Sequence, residues 1–182
     1  TLGFDERTVE LAKIAGYLHD IGNLVNRKDH SQSGAVMAWS ILNDMGCDPG
    51  EMATIVTAIG NHDEGTGVPV NAVAAALILA DKSDVRRSRV RNKDFSTFDI
   101  HDRVNYSVKK SSLKINEDKT LVKLKLTVDT KFGSVMEFFE IFMQRTTYSR
   151  RLSAQLINER GIEAALRMQL EHMALRMLRT SV

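Results

Sequence analysis

The chain has 182 residues, of which 43% are hydrophobic and 26% charged, and this balance excludes a disordered or collagen-like protein. A single cysteine, Cys47, excludes an intrachain disulfide, and no apolar run approaches the roughly 20 residues that a membrane-spanning helix needs. We therefore expect a cytoplasmic protein without a membrane partner, built as one compact domain with at most a modest appendage. The net charge of +2 conceals a basic middle segment, since residues 82–131 carry 14 Lys and Arg against 7 Asp and Glu.

The first helix is predicted to begin after Asp5, whose side chain can cap it. Apolar residues recur at helical offsets along one face, namely Leu11, Ile14, Ala15 and Leu18. Gly22 ends this helix just after His19 and Asp20. The His-Asp pair is therefore expected at a helix C-terminus.

Two further helices are predicted before His62. Ser31 can cap the second helix, whose expected inward face consists of Ala35, Ala38, Trp39, Leu42 and Met45. Asp48 and Pro49 open the third helix, where Pro is well tolerated at the first helical position. His30 then lies just before the second helix and His62 just past the end of the third.

The fourth predicted helix is apolar on every side. Asn71 can cap it, and the run over residues 72–80 contains only Ala, Val, Leu and Ile. This pattern predicts a buried central helix, and the run ends in Asp81. A carboxylate attached to such a helix is costly unless a partner offsets its charge.

The pattern changes from helical to alternating after the basic stretch 86–93. Apolar residues alternate with polar ones over 104–108 and again over 122–128, separated by a polar turn at 116–119. This predicts an antiparallel hairpin with one apolar face, its first strand containing Val104, Tyr106 and Val108. Further helices are predicted beyond Ser134. We divide the chain into a helical core over 1–98 and a hairpin and helical extension over 99–182, in a mainly α fold.

Five side chains that can ligate a metal share a placement at predicted helix ends, and they are His19, Asp20, His30, His62 and Asp81. A helical bundle can bring such ends together around one point. Adjacent residues on a helix point about 100° apart. His19 and Asp20 can therefore share one ion if the helix end is distorted, or serve two neighbouring ions with Asp20 as a bridge. We expect one or two divalent ions, with Mn, Fe, Mg, Co and Zn as candidates.

About residues 5–92 resemble the HD-domain superfamily of metal-dependent phosphohydrolases. The motifs that carry the resemblance are the segment 15–23 around the His-Asp pair, His30, residues 61–64 around His62, and residues 80–84 around Asp81. The resemblance implies an all-helical core that holds one or two divalent ions and hydrolyses phosphate esters. It further implies that His19, Asp20 and Asp81 bind one ion, and that His30 and His62 are the additional ligands of two-metal members.

The sequence departs from the family pattern at three places. No histidine precedes His19, so either the helix that carries the family's first histidine lies upstream or the site lacks that ligand. Asn23 stands where the family often has lysine. Residues 62–69 are similar to the HD-GYP cyclic-dinucleotide phosphodiesterases, but Val68 replaces their tyrosine and Asn61 one of their paired histidines. Cyclic-di-GMP is therefore not predicted as the substrate.

The resemblance implies a metal-activated water that attacks phosphorus. Asp20 and Lys82 are predicted to be catalytic, and Lys82, Arg86 and Arg87 are predicted to bind phosphate oxygens of the substrate. The expected substrate is a phosphorylated small molecule, a nucleotide or nucleotide second messenger, in monoester or diester form.

A second hypothesis is a catalytically weak HD-type module that binds a phosphorylated ligand, nucleic acid or a partner protein. The basic middle segment and the hairpin favour it. Nucleic acid is disfavoured as a partner because aromatic residues make up only 6% of the chain. A homodimer remains open.

Overall fold

The computed structural model describes residues 2–63, 67–118 and 122–132, together with Glu137. Within these residues the α-helices are α1 (Glu6–Leu18), α2 (His30–Asp44), α3 (Pro49–Gly60), α4 (Ala72–Ser83) and α5 (Ile100–Ser107), and the strands are β1 (Val108–Ile115) and β2 (Val122–Val128). The prediction of a mainly α fold with an antiparallel hairpin is confirmed for this part of the chain. Its helices include none with the length and apolar character that a membrane crossing requires.

Helices α1 to α4 pack around one apolar core. Helix α3 contacts the other three, and α1 also contacts α4. The buried residues of this core are Leu11, Ala15, Ala35, Ala38, Leu42, Met52, Ile55, Ala58, Ile59, Val73, Ala74 and Leu77. Burial of this surface is the main stabilising contribution to the bundle.

Three of the predicted helix caps are confirmed. The carboxylate of Asp5 accepts a hydrogen bond from the Thr8 amide. The carboxylate of Asp48 accepts from the amides of Gly50 and Glu51. The side chain of Asn71 accepts from the Ala74 amide. Each cap satisfies amides that have no partner within the first helical turn. These caps fix where α1, α3 and α4 begin.

The prediction that Ser31 caps the second helix is wrong, because the N-cap position is occupied by Asp29, two residues earlier. Helix α2 begins at His30, and Ser31 is buried inside its first turn. The preceding residue, Asp29, has a φ of 58°, in the left-handed region that Asp and Asn adopt more readily than most residues. This sharp turn places His30 inside the helix rather than in the loop.

The prediction that Trp39 and Met45 face inward is wrong, since they are 47% and 76% exposed. The buried side of α2 is formed by small residues, including Ala35 and Ala38, and by Leu42. Small side chains let α2 lie close to α3. The bulky Trp39 is consequently left about half exposed.

The fourth helix is longer than the apolar run that predicted it. It continues through Ser83, so Asp81 and Lys82 belong to its last turn rather than to the loop that follows. Lys82 near the C-terminus of a helix is favoured by the helix dipole. Asp81 and Lys82 are thereby held on a rigid element.

The first half of the predicted hairpin is a helix. Val104 and Tyr106 lie in α5, which begins after Asp99 because this side chain accepts a hydrogen bond from the Asp102 amide at 2.7 Å. The strand β1 begins only at Val108. A local cap thus prevails over an alternating pattern that is only three apolar residues long.

The hairpin itself has two distinct faces. Strands β1 and β2 pair antiparallel from Val108 opposite Val128 to Ile115 opposite Val122, with a bulge near Lys110. The inner face joins a second apolar cluster whose members are Val85, Ile100, Val104, Val108, Leu124, Leu126 and Val128. The outer face carries Lys110, Lys114, Lys123 and Lys125. The helices predicted beyond Ser134 lie outside the described residues, except for Glu137.

Candidate metal centre

The side chains of His19 and Asp20 lie close together because the chain changes conformation at these two residues, between the end of α1 at Leu18 and the turn that begins at Ile21. His19 keeps a helical conformation, whereas Asp20 leaves it with φ −96° and ψ 5° and opens a short 3-10 turn over Ile21–Leu24. His19 Nε2 lies 3.5 Å from Asp20 Oδ2 as a result. The helix end is therefore distorted in the manner that two adjacent ligands of one ion require.

A close backbone contact joins this turn to the start of α2. A Cβ atom built on Gly22 would lie 2.0 Å from the carbonyl oxygen of His30 and 2.5 Å from the amide nitrogen of Gly34. Only glycine fits at this position without a shift of the backbone. The contact brings the His-Asp pair next to His30.

The three histidines share one hydrogen-bond pattern. Each Nδ1 lies against the backbone carbonyl three residues earlier in the chain, at 2.8 Å for His19, 2.9 Å for His30 and 2.6 Å for His62. Because a carbonyl oxygen only accepts, Nδ1 carries the proton in each ring, and Nε2 of the neutral ring is left with a lone pair. Backbone carbonyls that fix the ring in this way are typical neighbours of metal-binding histidines.

A sequence signal for this pattern exists at two of the three histidines. His19 is the first residue after α1 and His62 the second residue after α3, and the last carbonyls of a helix have no amide partner within the helix. A histidine placed just past such an end can satisfy one of them. Its Nε2 then points away from the helix.

The Nε2 atoms of the histidines converge around Asp20. Those of His30 and His62 are 3.2 Å apart, and Asp20 Oδ1 lies 3.4 Å and 4.0 Å from them, respectively. One ligand atom from each of His19, Asp20 and His62 lies within 4.8 Å of the others. Four side chains from three separate elements therefore share one small volume.

This arrangement fits a divalent ion. Two Nε2 lone pairs that face each other at 3.2 Å repel unless the rings share a proton or both bind a metal ion. Metal to nitrogen distances of about 2.0 to 2.1 Å place neighbouring ligands of octahedral or tetrahedral ions about 2.9 to 3.4 Å apart. His19 Nε2 is also buried without a hydrogen-bond partner among the described residues. The donor types thus suit a metal ion, and the separations of 3.2 Å between His30 and His62 and 3.4 Å between His30 and Asp20 match neighbouring ligands of one ion.

Asp81 borders the cluster on the side of His19. Its Oδ1 lies 3.8 Å from His19 Nε2, and its Oδ2 accepts a charged hydrogen bond from Lys82 Nζ at 2.8 Å. Burial alone would raise the pKa of Asp81, but the charge and the hydrogen bond of Lys82, with smaller contributions from His19 and Arg89, lower that pKa from 3.8 to about 2. The carboxylate is therefore ionised at neutral pH.

His62 is the most deeply buried ligand candidate, with 1% of its surface exposed. Burial lowers the pKa of His62, and the hydrogen bond to the Ile59 carbonyl opposes that shift without cancelling it. The ring is consequently neutral at neutral pH. A neutral imidazole is the form that binds a metal ion.

The structure brings together four of the five predicted ligands and places Asp81 beside them. Asp20 Oδ2 faces His19, while Oδ1 faces His30 and His62. A shared carboxylate can serve one ion or bridge two. This orientation of the carboxylate is therefore compatible with one bound ion and with two.

The predicted phosphate-binding residues are placed differently. Lys82 is 8% exposed and forms an ion pair with Asp81 at 2.8 Å. Arg86 binds Asp84, with Nε 2.8 Å from Oδ1. Neither cation presents a free charge to an incoming phosphate, because each is already engaged with a neighbouring carboxylate.

Arg87 belongs to the hairpin region. Its guanidinium lies over the rings of Tyr106 and Phe132, at 4.3 Å and 4.8 Å from their centres, and Nε donates to the Tyr106 carbonyl at 2.7 Å. The prediction that it binds substrate is not supported by this placement. The arginine that reaches the site is Arg89, which the sequence reasoning missed although it lies in the same basic stretch.

Replacing Asp81 with asparagine is expected to destabilise the metal-free protein by about 2 to 3 kcal/mol, because the buried Lys82 loses its counter-charge. The wild-type carboxylate has a lowered pKa, so its contribution is present above a pH of about 4 and is lost as the pH falls towards 2. Urea denaturation in chelator at pH 7 and at lower pH measures both effects.

Asp84→Asn is the matched control, since its pair with Arg86 is much more exposed. We expect it to cost less than about 1 kcal/mol. Equal losses in the two variants would contradict the argument that the Asp81 pair depends on burial.

The candidate centre is thus defined by the geometry of its own side chains. Its ligand atoms come from the end of α1, the first turn of α2 and the end of α3, with Asp81 on α4 beside them. Comparisons of the chain with protein-family models, curated proteins and solved structures gave no match.

Proposed function

We propose that the protein is a divalent-metal-dependent phosphohydrolase of the HD-domain type. It would hydrolyse a phosphomonoester or phosphodiester of a nucleotide or nucleotide second messenger. One observation carries the proposal: three histidines with Nδ1 fixed on backbone carbonyls direct Nε2 towards one exposed carboxylate, Asp20. The residues involved are the same ones on which the resemblance to HD-domain phosphohydrolases rests.

The chemistry follows from these ligands. A divalent ion bound here supplies Lewis-acid chemistry, lowering the pKa of a water molecule and offsetting charge on a phosphoryl group. The rigid histidines hold the ligand geometry, because their rings cannot turn without breaking the Nδ1 hydrogen bonds. Asp20 is 47% exposed, so an oxygen of its carboxylate can accept a hydrogen bond from the attacking water and orient it.

Charge balance at the site is compatible with an anionic substrate. The carboxylates of Asp20 and Asp81 are offset by Lys82, which lies 2.8 Å from Asp81, and by Arg89 at 3.5 Å. Without these cations, the two carboxylates would repel a phosphate. The cluster therefore suits both a metal ion and a phosphorylated ligand.

Metal analysis coupled to a hydrolysis screen tests the proposal. The purified protein is titrated with Mn, Fe, Mg, Co and Zn, and turnover is measured on p-nitrophenyl phosphate, bis-p-nitrophenyl phosphate and a panel of nucleotides. We expect one or two ions per chain and turnover that chelator abolishes. The two synthetic substrates separate monoesterase from diesterase activity. A chain that binds none of these ions would contradict the proposal.

A second candidate is the binding module for nucleic acid or another polyanion. The observation that favours it is the outer face of the hairpin, where none of the lysines at 110, 114, 123 and 125 forms an ion pair with a described residue. Lys114 lies directly opposite Lys123, and like charges at such positions destabilise a hairpin. Metal binding without turnover, together with strongly salt-dependent binding of nucleic acid, would favour this candidate.

A further inference from the structure

We propose that Arg89 binds the phosphoryl oxygens of the substrate beside Asp81. This inference rests on the proposed phosphohydrolase function. It replaces the expectation that the neighbouring Arg86 and Arg87 have this role. The argument depends on which cations of the segment after α4 are already engaged and which one borders the candidate metal centre.

Arg89 lies at the edge of the centre on the short 3-10 turn Arg87–Arg89. Its Nη1 is 3.5 Å from Asp81 Oδ1, the oxygen that also faces His19. The side chain is 38% exposed, so one part of the guanidinium reaches the centre while another part faces solvent. A ligand that enters beside Asp81 would therefore meet this side chain.

The present contacts of Arg89 are loose. Its single hydrogen bond runs from Nη1 to the Asp84 carbonyl at 3.2 Å, and within the described structure Nε and Nη2 donate to no protein atom. Asp81 Oδ2 is held more closely by Lys82, at 2.8 Å. The Asp84 carboxylate is likewise held more closely by Arg86, at 2.8 Å, than by Arg89, at 3.8 Å.

Little is lost, then, if Arg89 turns towards an incoming anion. Both neighbouring carboxylates keep their closer cations, Lys82 and Arg86. Commitment of Asp81 to a metal ion would weaken its attraction for Arg89 further, since the carboxylate charge would be shared. The donors Nε and Nη2 remain for the substrate.

The chemistry of the guanidinium fits this role. Its planar fork donates two parallel hydrogen bonds to the oxygens of a phosphate group, which a single ammonium cannot do. Lys82 is buried in its ion pair with Asp81, and Arg87 is stacked on aromatic rings. Arg89 is thus the guanidinium at the site that can bind a non-bridging phosphate oxygen through Nε and Nη2, and the one hydrogen bond it would give up by turning is the 3.2 Å bond from Nη1 to the Asp84 carbonyl.

Phosphate binding by metal-loaded protein tests the inference. Inorganic phosphate is titrated calorimetrically into wild type, Arg89→Gln, Arg89→Lys and the control Arg91→Gln, an exposed arginine two residues further on. Metal affinity is measured for all four proteins. We expect Arg89→Gln to weaken phosphate binding about 10- to 100-fold, with partial recovery in Arg89→Lys and a change below about twofold in Arg91→Gln. Metal affinity should stay within about threefold of wild type throughout.

Three results would overturn the inference, and they are distinguishable. If Arg89→Gln binds metal and phosphate as wild type does, Arg89 has no role at the site while the proposed function stands. If Arg89→Gln loses metal affinity as strongly as phosphate affinity, Arg89 acts by positioning Asp81. If wild type binds no metal, the proposed function falls and this inference falls with it.

Discussion

Replacing Asp20 with alanine is expected to abolish hydrolysis while the fold is retained. The Asp20 carboxylate lies between His19 and His30, with Oδ2 3.5 Å from His19 Nε2 and Oδ1 3.4 Å from His30 Nε2. The substitution removes the oxygen that faces His19, the oxygen that faces His30, and the hydrogen-bond acceptor that orients the attacking water. A loss of several kcal/mol of transition-state stabilisation corresponds to a decrease of about 10³-fold or more in kcat/KM.

Stability should change little in the same variant. The Asp20 side chain is 47% exposed, and its contacts are with ligand candidates rather than with the apolar core. Asp44→Ala, at the exposed end of α2, is the control for loss of a carboxylate. Turnover and metal stoichiometry are measured for both variants, with the circular dichroism spectrum as the check on folding. Wild-type turnover in Asp20→Ala would contradict the assignment of the centre.

Much of the helical bundle could be predicted because its signals are local. Asp5, Asp48 and Asn71 cap helices through amides only two or three residues away, so the residues involved lie together in the sequence. The five ligand candidates were identifiable for a related reason. Each stands at or near a helix end, and the ends of packed helices meet.

The features that could not be predicted depend on distant parts of the chain. Arg87 turns to Tyr106 and Phe132, which are brought beside it only when the hairpin packs against the segment after α4. Because Arg87 packs on these rings and Arg86 pairs with Asp84, the arginine that lies beside Asp81 is Arg89. Trp39 is similarly exposed because the interface of α2 is made by small residues of two helices. No spacing within the basic stretch or within α2 specifies these outcomes.

The close contact between Gly22 and α2 could also not be predicted from the spacing of apolar residues. The sequence pattern predicts only that Gly22 ends the first helix. In the structure it lies against the backbone of His30 and Gly34, and Gly34 in turn has the His19 carbonyl near it. Two glycines therefore set the distance between the His-Asp pair and the first turn of α2.

Replacing Gly22 with alanine is consequently expected to destabilise the protein by about 3 kcal/mol or more and to abolish metal binding. The new Cβ would lie 2.0 Å from the His30 carbonyl oxygen and 2.5 Å from the Gly34 amide nitrogen. Both are backbone atoms, so no rotation of a side chain relieves the clash. The 3-10 turn must move away from α2, which separates His19 and Asp20 from His30.

Gly16→Ala is the matched control for this prediction. Gly16 lies inside α1, and a Cβ there would meet nothing within 4 Å. Alanine is favoured over glycine in a helix interior, so this variant should gain about 0.5 to 1 kcal/mol and bind metal as wild type does. Urea denaturation and metal titration measure both variants. Wild-type metal affinity in Gly22→Ala would mean that the distance between His30 and the His-Asp pair does not determine the site, and the assignment of His30 as a ligand would have to be abandoned.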